Sequence, residues 1–285
     1  MPVFIVLILA RTICRTENGI PDNYSVENGD SSGIIGDNPL IIKSTFRLYG
    51  LQRQRMMRDL QFPLFGFPVT VQPFFWLLAV LLGASNLGPI ENMPVWMANL
   101  AVLVAAVLVA VLVHELGHAL TFRHLYGVPS IITVHTFGGV TVPLRQPKRS
   151  YSFAGTCGQV FLAFSGPLAG FILAAALMYV LTILPEPQQL PAELMLNLLK
   201  WTAMLSIFWG IFNLLPIYPM DGGHIAREFL TYLFPYRGVR FSLILSMTCA
   251  ALLAVLALRL NTFFMVFFFA YFAYMNYQEL SGRGR

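Results

Sequence analysis

The sequence predicts an all-α polytopic membrane protein, with about six transmembrane helices and a small membrane-associated β-hairpin between helices 2 and 3. Of its 285 residues, 57% are hydrophobic and only 11% are charged, whereas a soluble domain has roughly 25% charged residues. Long apolar stretches recur along the chain beyond residue 70 and are separated by short polar loops. Most of the surface should therefore face lipid.

Residues 1–58 are expected to be a lead-in that precedes the membrane domain. Residues 3–10 are apolar but too short to cross a bilayer, which takes about 20 residues in a helix. Residues 15–45 are rich in Asn, Asp, Ser and Gly, a composition typical of disorder. No positively charged region precedes the apolar stretch, as it would in a secretory signal. An alternative is a true start near Met56 or Met57.

Six apolar segments divide the predicted membrane domain, residues 59–280, which a short tail of residues 281–285 follows. The segments are residues 73–88, 95–122, 157–184, 192–215, 238–258 and 261–277. The first segment is short for a span, and we expect it to be tilted or extended by Phe62–Phe67. The last two segments are separated by a tight turn, since one helix covering both would exceed the thickness of a bilayer.

The stretch between the second and third segments has a different composition. Residues 129–147 are rich in β-branched side chains and are interrupted by Gly138 and Gly139. Both features favour a β-hairpin or a bent pair of strands. We expect this hairpin to lie on the cytoplasmic side.

Basic residues are concentrated in alternate connections between the segments. They are Lys43, Arg47, Arg53, Arg55 and Arg58, then Arg123, Arg145, Lys148 and Arg149, then Arg227, Arg237 and Arg240, and finally Arg283 and Arg285. By the positive-inside rule, both termini of this multi-pass protein are cytoplasmic. We expect it to reside in the inner membrane of a bacterial cell. The net charge of +5 is thereby explained without nucleic acid as a partner.

The second segment contains the sequence His114-Glu-Leu-Gly-His118. Residues four apart lie on one face of a helix, so both imidazoles can hold one metal ion while Glu115 takes a proton from water, as in zinc hydrolases. Ionisable groups inside a membrane are costly, which favours a functional role over a structural one. Arg123 lies nine residues beyond His114, so the first ligand is expected about 13 Å below the cytoplasmic surface.

A catalytic zinc site normally has three protein ligands, and Asp221 is the candidate for the third. It follows the fourth segment among the prolines and glycines of Asn213–His224. Both segments run from outside to inside, so the two half-sites should share one depth. We expect Pro216 and Pro219 to break the helix, and Gly222-Gly223 to let an unwound backbone turn close to the metal.

Four motifs occur in order along the chain. They are His114-Glu-Leu-Gly-His118, Phe137-Gly-Gly139, Ser165-Gly-Pro-Leu-Ala-Gly170 and Asn213-Leu-Leu-Pro-Ile-Tyr-Pro-Met-Asp-Gly-Gly223. Together they closely resemble those of the site-2 protease family of intramembrane zinc metalloproteases, over about residues 60–280. The chain looks like the compact form of that family, without a PDZ or CBS domain.

The resemblance implies an intramembrane zinc endopeptidase that cuts transmembrane protein substrates in regulated intramembrane proteolysis. It implies one Zn²⁺ per chain, held by His114, His118 and Asp221, with Glu115 as the catalytic general base. It also implies substrate binding by Asn213 and by the strand that contains Gly138 and Gly139, through strand addition. Both the lipid bilayer and the membrane substrate are then partners.

Two residues depart from the family pattern. Tyr218 stands where proline is more usual, and Gly170 stands where asparagine is common. We expect Gly166 and Gly170, four residues apart, to serve close helix packing. A zinc protease of the prenyl-protein type is an alternative, although that family takes a glutamate as third ligand. A further alternative is a non-proteolytic zinc-binding membrane protein or a metal transporter.

Overall fold

The computed structural model describes residues 59–136, 138–145 and 153–282, which lie in one compact unit. The predicted lead-in, residues 1–58, and most of the predicted tail lie outside the described residues, as does Phe137. In chain order the described elements are β1 (Leu60–Leu64), β2 (Phe67–Val71), α1 (Pro73–Asn86), α2 (Met93–Tyr126), β3 (Ser130–His135), β4 (Gly138–Pro143), α3 (Phe153–Ile183), α4 (Leu190–Asn213), α5 (Asp221–Leu233), α6 (Gly238–Arg259) and α7 (Phe263–Gly282).

The fold is mostly helical, as predicted. Four helices in the described part of the chain, α2, α3, α4 and α6, are long and apolar enough to cross a membrane. Helix α1 has 14 residues, and α7 has 20 residues but is not among those four. The figure of six spans therefore stays a prediction. At 34 residues, α2 is about 50 Å long and exceeds the roughly 30 Å hydrocarbon layer.

The predicted hairpin between the second and third segments is confirmed, and it belongs to a larger sheet. Strands β3 and β4 pair antiparallel, with Thr133 opposite Val140. A second hairpin, β1–β2, joins them through a parallel pairing of β2 with β3, which gives the order β1-β2-β3-β4. Strand β4 thus forms one edge of the described sheet.

The expectation that Phe62–Phe67 extends the first helix is wrong. These residues belong to β1, the turn at Phe65-Gly66 and the start of β2. Both turn residues have positive φ, 48° and 83°, which a helix does not allow. Pro63 and Pro68 also disfavour a helix interior, because proline lacks an N–H group. The apolar stretch therefore forms a hairpin before the first helix begins.

The sheet packs against α1 and α2. Val69, Val71, Ile132 and Val134 are fully buried side chains at its centre. They form one core with Phe75 of α1 and with Val104, Val111 and Ala119 of α2. This packing fixes the sheet beside the part of α2 that contains the two histidines.

Helix α5 begins earlier than anticipated, since Asp221 was expected in an irregular loop and Gly222-Gly223 at a backbone turn. Both glycines lie in the first turn of α5. A Cβ at Gly222 would collide with the Leu214 carbonyl, and one at Gly223 with the Tyr218 amide. The glycines are thus explained by close approach of the preceding loop to the helix start.

Candidate metal centre

Three side chains from two distant parts of the chain meet at one point. The His114 Nε2 atom lies 3.0 Å from Asp221 Oδ2, and His118 Nε2 lies 3.3 Å from Asp221 Oδ1. The two Nε2 atoms are 3.3 Å apart. The two histidines come from α2, and Asp221 is the first residue of α5. The structure therefore brings together the three residues that the sequence predicted as ligands.

The spacing of these atoms fits a zinc ion. Tetrahedral zinc with ligand bonds of 2.0–2.1 Å keeps its ligand atoms about 3.3 Å apart, close to the three separations of 3.0, 3.3 and 3.3 Å. Two imidazoles and one carboxylate also form a donor set that zinc prefers. Asp221 Oδ2 is buried and makes no hydrogen bond of good geometry within the described residues, which suits an atom that binds a metal.

Both histidines of α2 are buried. His114 and His118 are 3% and 9% exposed. The His118 Nδ1 atom lies 2.9 Å from the Leu162 carbonyl oxygen, which accepts its N–H hydrogen bond. A proton on Nδ1 leaves the lone pair of Nε2 for a metal, which is how metal-binding histidines are usually oriented. Leu162 thus fixes both the ring and its tautomer.

Helix α3 crosses α2 directly beside the histidines. A Cβ at Gly117 would collide with the Ser165 carbonyl, so the two backbones are in close contact there. A Cβ at Gly166 would lie 2.8 Å from His114 Nε2 and even closer to His118 Nε2. Gly166 therefore forms part of the wall of the centre, whereas Gly170 packs against Ser206 of α4 as expected. Sequence reasoning assigned packing alone to both.

The Glu115 carboxylate is held by the hairpin. Glu115 is 4% exposed, and its Oε2 accepts a 2.7 Å hydrogen bond from the Thr141 hydroxyl. The same hydroxyl lies 3.0 Å from the Glu115 backbone carbonyl. A Cβ at Gly139 would lie 2.6 Å from both Cδ and Oε1 of Glu115. Strand β4 thus orients the predicted general base, and Thr141 is a positioning residue that the sequence did not indicate.

The remaining predicted substrate residues, Gly138 and Asn213, both lie against Trp209 of α4. Gly138 has φ +130°, and a Cβ there would lie 2.9 Å from Cη2 of the Trp209 indole. Asn213, the last residue of α4, donates a 2.9 Å hydrogen bond from Nδ2 to the Trp209 carbonyl. Trp209 therefore contacts one of these residues and anchors the other. The role of Asn213, Gly138 and Gly139 in substrate binding stays a prediction.

Comparison with known proteins agrees with this geometry. Residues 183–256, which include Asp221, match the profile described as peptidase family M50. The zinc metalloprotease MJ0392 of Methanocaldococcus jannaschii is 31% identical over 180 residues, covering 61% of this chain and 46% of that protein. The fold is similar to that of the site-2 protease from Methanocaldococcus jannaschii, with a TM-score of 0.53, 24% identity, and coverage of 78% of this chain and 95% of that one. The chain is thus similar to M50 peptidases and zinc metalloproteases in sequence, and to a site-2 protease in fold.

Two further relatives extend the comparison. The putative zinc metalloprotease Rip3 of Mycobacterium tuberculosis is 32% identical over 162 residues, covering 55% of this chain and 37% of Rip3. The putative zinc metalloprotease sll0528 of Synechocystis is 30% identical over 174 residues, covering 58% of this chain and 42% of that protein. The chain spans less than half the length of these curated relatives. Its apolar helices and its relatives mark it as an integral membrane protein.

Proposed function

We propose that this protein is an intramembrane zinc endopeptidase that hydrolyses peptide bonds in or near transmembrane segments of other membrane proteins. The observation that carries the proposal is the meeting of His114, His118 and Asp221 within ligand distance. The carboxylate of Glu115 follows His114 in α2 and is oriented from β4. The three ligands would hold one Zn²⁺ per chain.

Each group in the centre has a chemical task in this proposal. When bound, zinc acts as a Lewis acid and makes water easier to deprotonate. The Glu115 carboxylate accepts the proton from the attacking water and then delivers it to the amine that leaves. Burial of Glu115 and its hydrogen bond from Thr141 restrict the carboxylate to one orientation, so proton transfer needs little rearrangement.

A substrate is proposed to bind by adding a strand to β4. The peptide bonds of a helix are shielded by their own hydrogen bonds, and an extended segment exposes them. Strand β4 is an edge of the described sheet, and Val140 and Val142 are 39% and 42% exposed. Because Gly139 and Thr141 of the same strand contact Glu115, an added strand would run beside the general base. We assign Gly138, Gly139 and Asn213 to this binding region.

We further propose a bacterial inner membrane location with both termini in the cytoplasm, and a role in regulated intramembrane proteolysis. The alternation of basic connections supports the orientation. Arg123 and His124 in the last turn of α2 are consistent with a cytoplasmic end to that helix. The orientation is tested by fusing, after Arg285, a reporter that is active only in the cytoplasm. We expect this reporter to be active. Activity of a periplasm-specific reporter at the same position contradicts it.

Replacement of the general base tests the enzyme assignment. Glu115→Gln keeps the shape of the side chain but cannot accept a proton, so cleavage of a co-expressed single-pass membrane substrate should be lost while the bound zinc is retained. Glu193→Gln, which changes an exposed acid in the first turn of α4, is the matched control and should cleave normally.

The outcomes separate the candidate functions. Undiminished cleavage by Glu115→Gln removes the general-base assignment. If the wild-type protein purifies without zinc, the assignment as a zinc enzyme is wrong. A wild-type protein that holds zinc but cleaves no membrane substrate supports the non-proteolytic zinc-binding alternative.

A further inference from the structure

The loop that precedes Asp221 is held in place by α6 and α7, which contribute no metal ligand. Residues 214–220 connect α4 to α5, and Ile217 and Met220 of this loop are 0% and 7% exposed. Both pack in one cluster with Ala250 of α6 and Phe269 of α7. The position of Asp221 therefore depends on how the loop contacts the last two helices.

Both backbone groups of Tyr218 are bound by side chains of those helices. The Tyr218 N–H donates a 3.0 Å hydrogen bond to the Ser246 hydroxyl of α6. The Tyr218 carbonyl accepts a 2.7 Å hydrogen bond from Asn276 Nδ2 of α7. Ser246 and Asn276 are 0% and 1% exposed. In a buried, low-dielectric setting such bonds are expensive to break, because each group would be left without a partner.

The Tyr218 side chain is also held. The Arg227 guanidinium lies 3.8 Å from the centre of the tyrosine ring, a distance at which a cation is attracted to an aromatic face. Arg227 in turn forms a 3.0 Å ion pair with Glu279 of α7, with side-chain exposures of 15% and 29%. A planar guanidinium can both stack on a ring and bind a carboxylate. Tyr218 stands where the site-2 protease pattern more usually has proline. Its side chain therefore gives α7 a second connection to the loop.

We infer that Asn276 and Glu279 of α7 are positioning residues for the metal ligand Asp221, acting through Tyr218. Tyr218 lies three residues before Asp221, and the first turn of α5 is in direct contact with it through Gly223. Ligand distances in a metal site tolerate errors of about 0.2 Å. A loop released from α7 must be ordered again on binding, and this cost appears as weaker metal affinity. The inference rests on the proposed zinc site.

Zinc affinity of purified full-length protein, measured in detergent by competition with a chromophoric chelator, tests the inference. Asn276→Leu removes the hydrogen bond to the Tyr218 carbonyl and should weaken zinc binding by about tenfold, as loss of an outer-shell partner commonly does. Asn197→Leu is the matched control. It removes a hydrogen bond between two half-buried side chains, 3.0 Å from Asn197 Nδ2 to Asn99 Oδ1 between α4 and α2, and should leave zinc affinity unchanged.

Melting temperatures of the zinc-free variants separate positioning from general loosening. We expect both Asn276→Leu and Asn197→Leu to lower the melting temperature, with a fall in zinc affinity for the first alone. If Asn276→Leu does not fold, Glu279→Gln tests the same connection by removing the charge but not the shape, with about a threefold loss expected for a partly exposed ion pair.

If the wild type holds zinc and the α7 variants bind zinc with unchanged affinity, this inference is wrong. The proposed function is not affected by that result. An equal loss of affinity in Asn197→Leu also overturns the inference. A wild-type protein without zinc overturns the proposed function, and the inference falls with it.

Discussion

Substitution of Gly166 by alanine should strongly weaken metal binding, although glycine to alanine inside a helix ordinarily stabilises the helix by up to about 1 kcal/mol. The added Cβ would lie 2.8 Å from His114 Nε2 and closer still to His118 Nε2. Non-bonded heavy atoms prefer about 3.5 Å or more. The His114 imidazole must therefore move by roughly 0.7 Å and the His118 imidazole by more, several times the tolerance of about 0.2 Å in a metal site.

The surroundings of His118 make this movement costly. Its Nδ1 is bound to the Leu162 carbonyl at 2.9 Å, and Leu162 and Gly166 lie on the same helix, so ring and obstacle cannot separate independently. Changes in outer-shell partners alone reduce metal affinity by 10–100-fold. Direct displacement of a ligand nitrogen should exceed this, and we expect Gly166→Ala to lose about 100-fold or more in zinc affinity.

Gly170→Ala is the matched control on the same face of α3. Its nearest neighbour would be the Ser206 carbonyl oxygen at 3.3 Å, so a shift of a few tenths of an ångström accommodates the methyl group. We expect zinc affinity, cleavage and melting temperature close to wild type, or slightly higher stability. Chelator competition, metal analysis and substrate cleavage measure the difference. Wild-type zinc affinity in Gly166→Ala would refute the assignment of Gly166 to the wall of the metal centre.

Two other changes probe the same centre. Thr141→Val should lower the cleavage rate by about 10-fold or more with zinc content unchanged, because hydrogen bonds to charged groups contribute about 1.5–3 kcal/mol. Thr141→Ser keeps the hydroxyl and should retain the wild-type rate. A Thr141→Val variant as active as wild type would contradict the positioning role. Removal of zinc by a chelator should lower the melting temperature, since a ligand at 100 times its Kd stabilises the folded state by about 2.7 kcal/mol. Asp221→Asn should show a much smaller chelator effect, and an undiminished one would mean that the metal does not bind Asp221.

The long apolar helices and the His114–His118 pair were predictable because each depends on a local pattern. An apolar stretch of about 20 residues has few alternatives to a membrane helix, and a spacing of four on a helix fixes which side chains share a face. Asp221 could be predicted as the third ligand because few other acidic residues follow the histidines in the sequence. Its proline- and glycine-rich surroundings are also unusual in an apolar chain.

The features that sequence reasoning missed depend on contacts between distant elements. Strands β1 and β2 are as apolar as the helix that follows, and only their pairing with β3 distinguishes them. The hydroxyl of Thr141 reaches Glu115 across 26 residues, which no local pattern reveals. Gly166 satisfies the small-residue spacing of helix packing, and its second role depends on where α3 crosses α2. The start of α5 at Asp221 was missed because two glycines in its first turn suggest a loop.

The two halves of the metal centre are far apart in the order of synthesis. His118 is made early, and 102 residues separate it from Asp221, so the ribosome must add α3, α4 and their connections before the third ligand exists. A nascent α2 consequently carries two imidazoles and a carboxylate into lipid without their carboxylate partner, at a cost of a few kcal/mol for the charged group. The proposed metal site is thus complete only after Asp221 has been translated, and a half-built chain lacks the third of its predicted ligands.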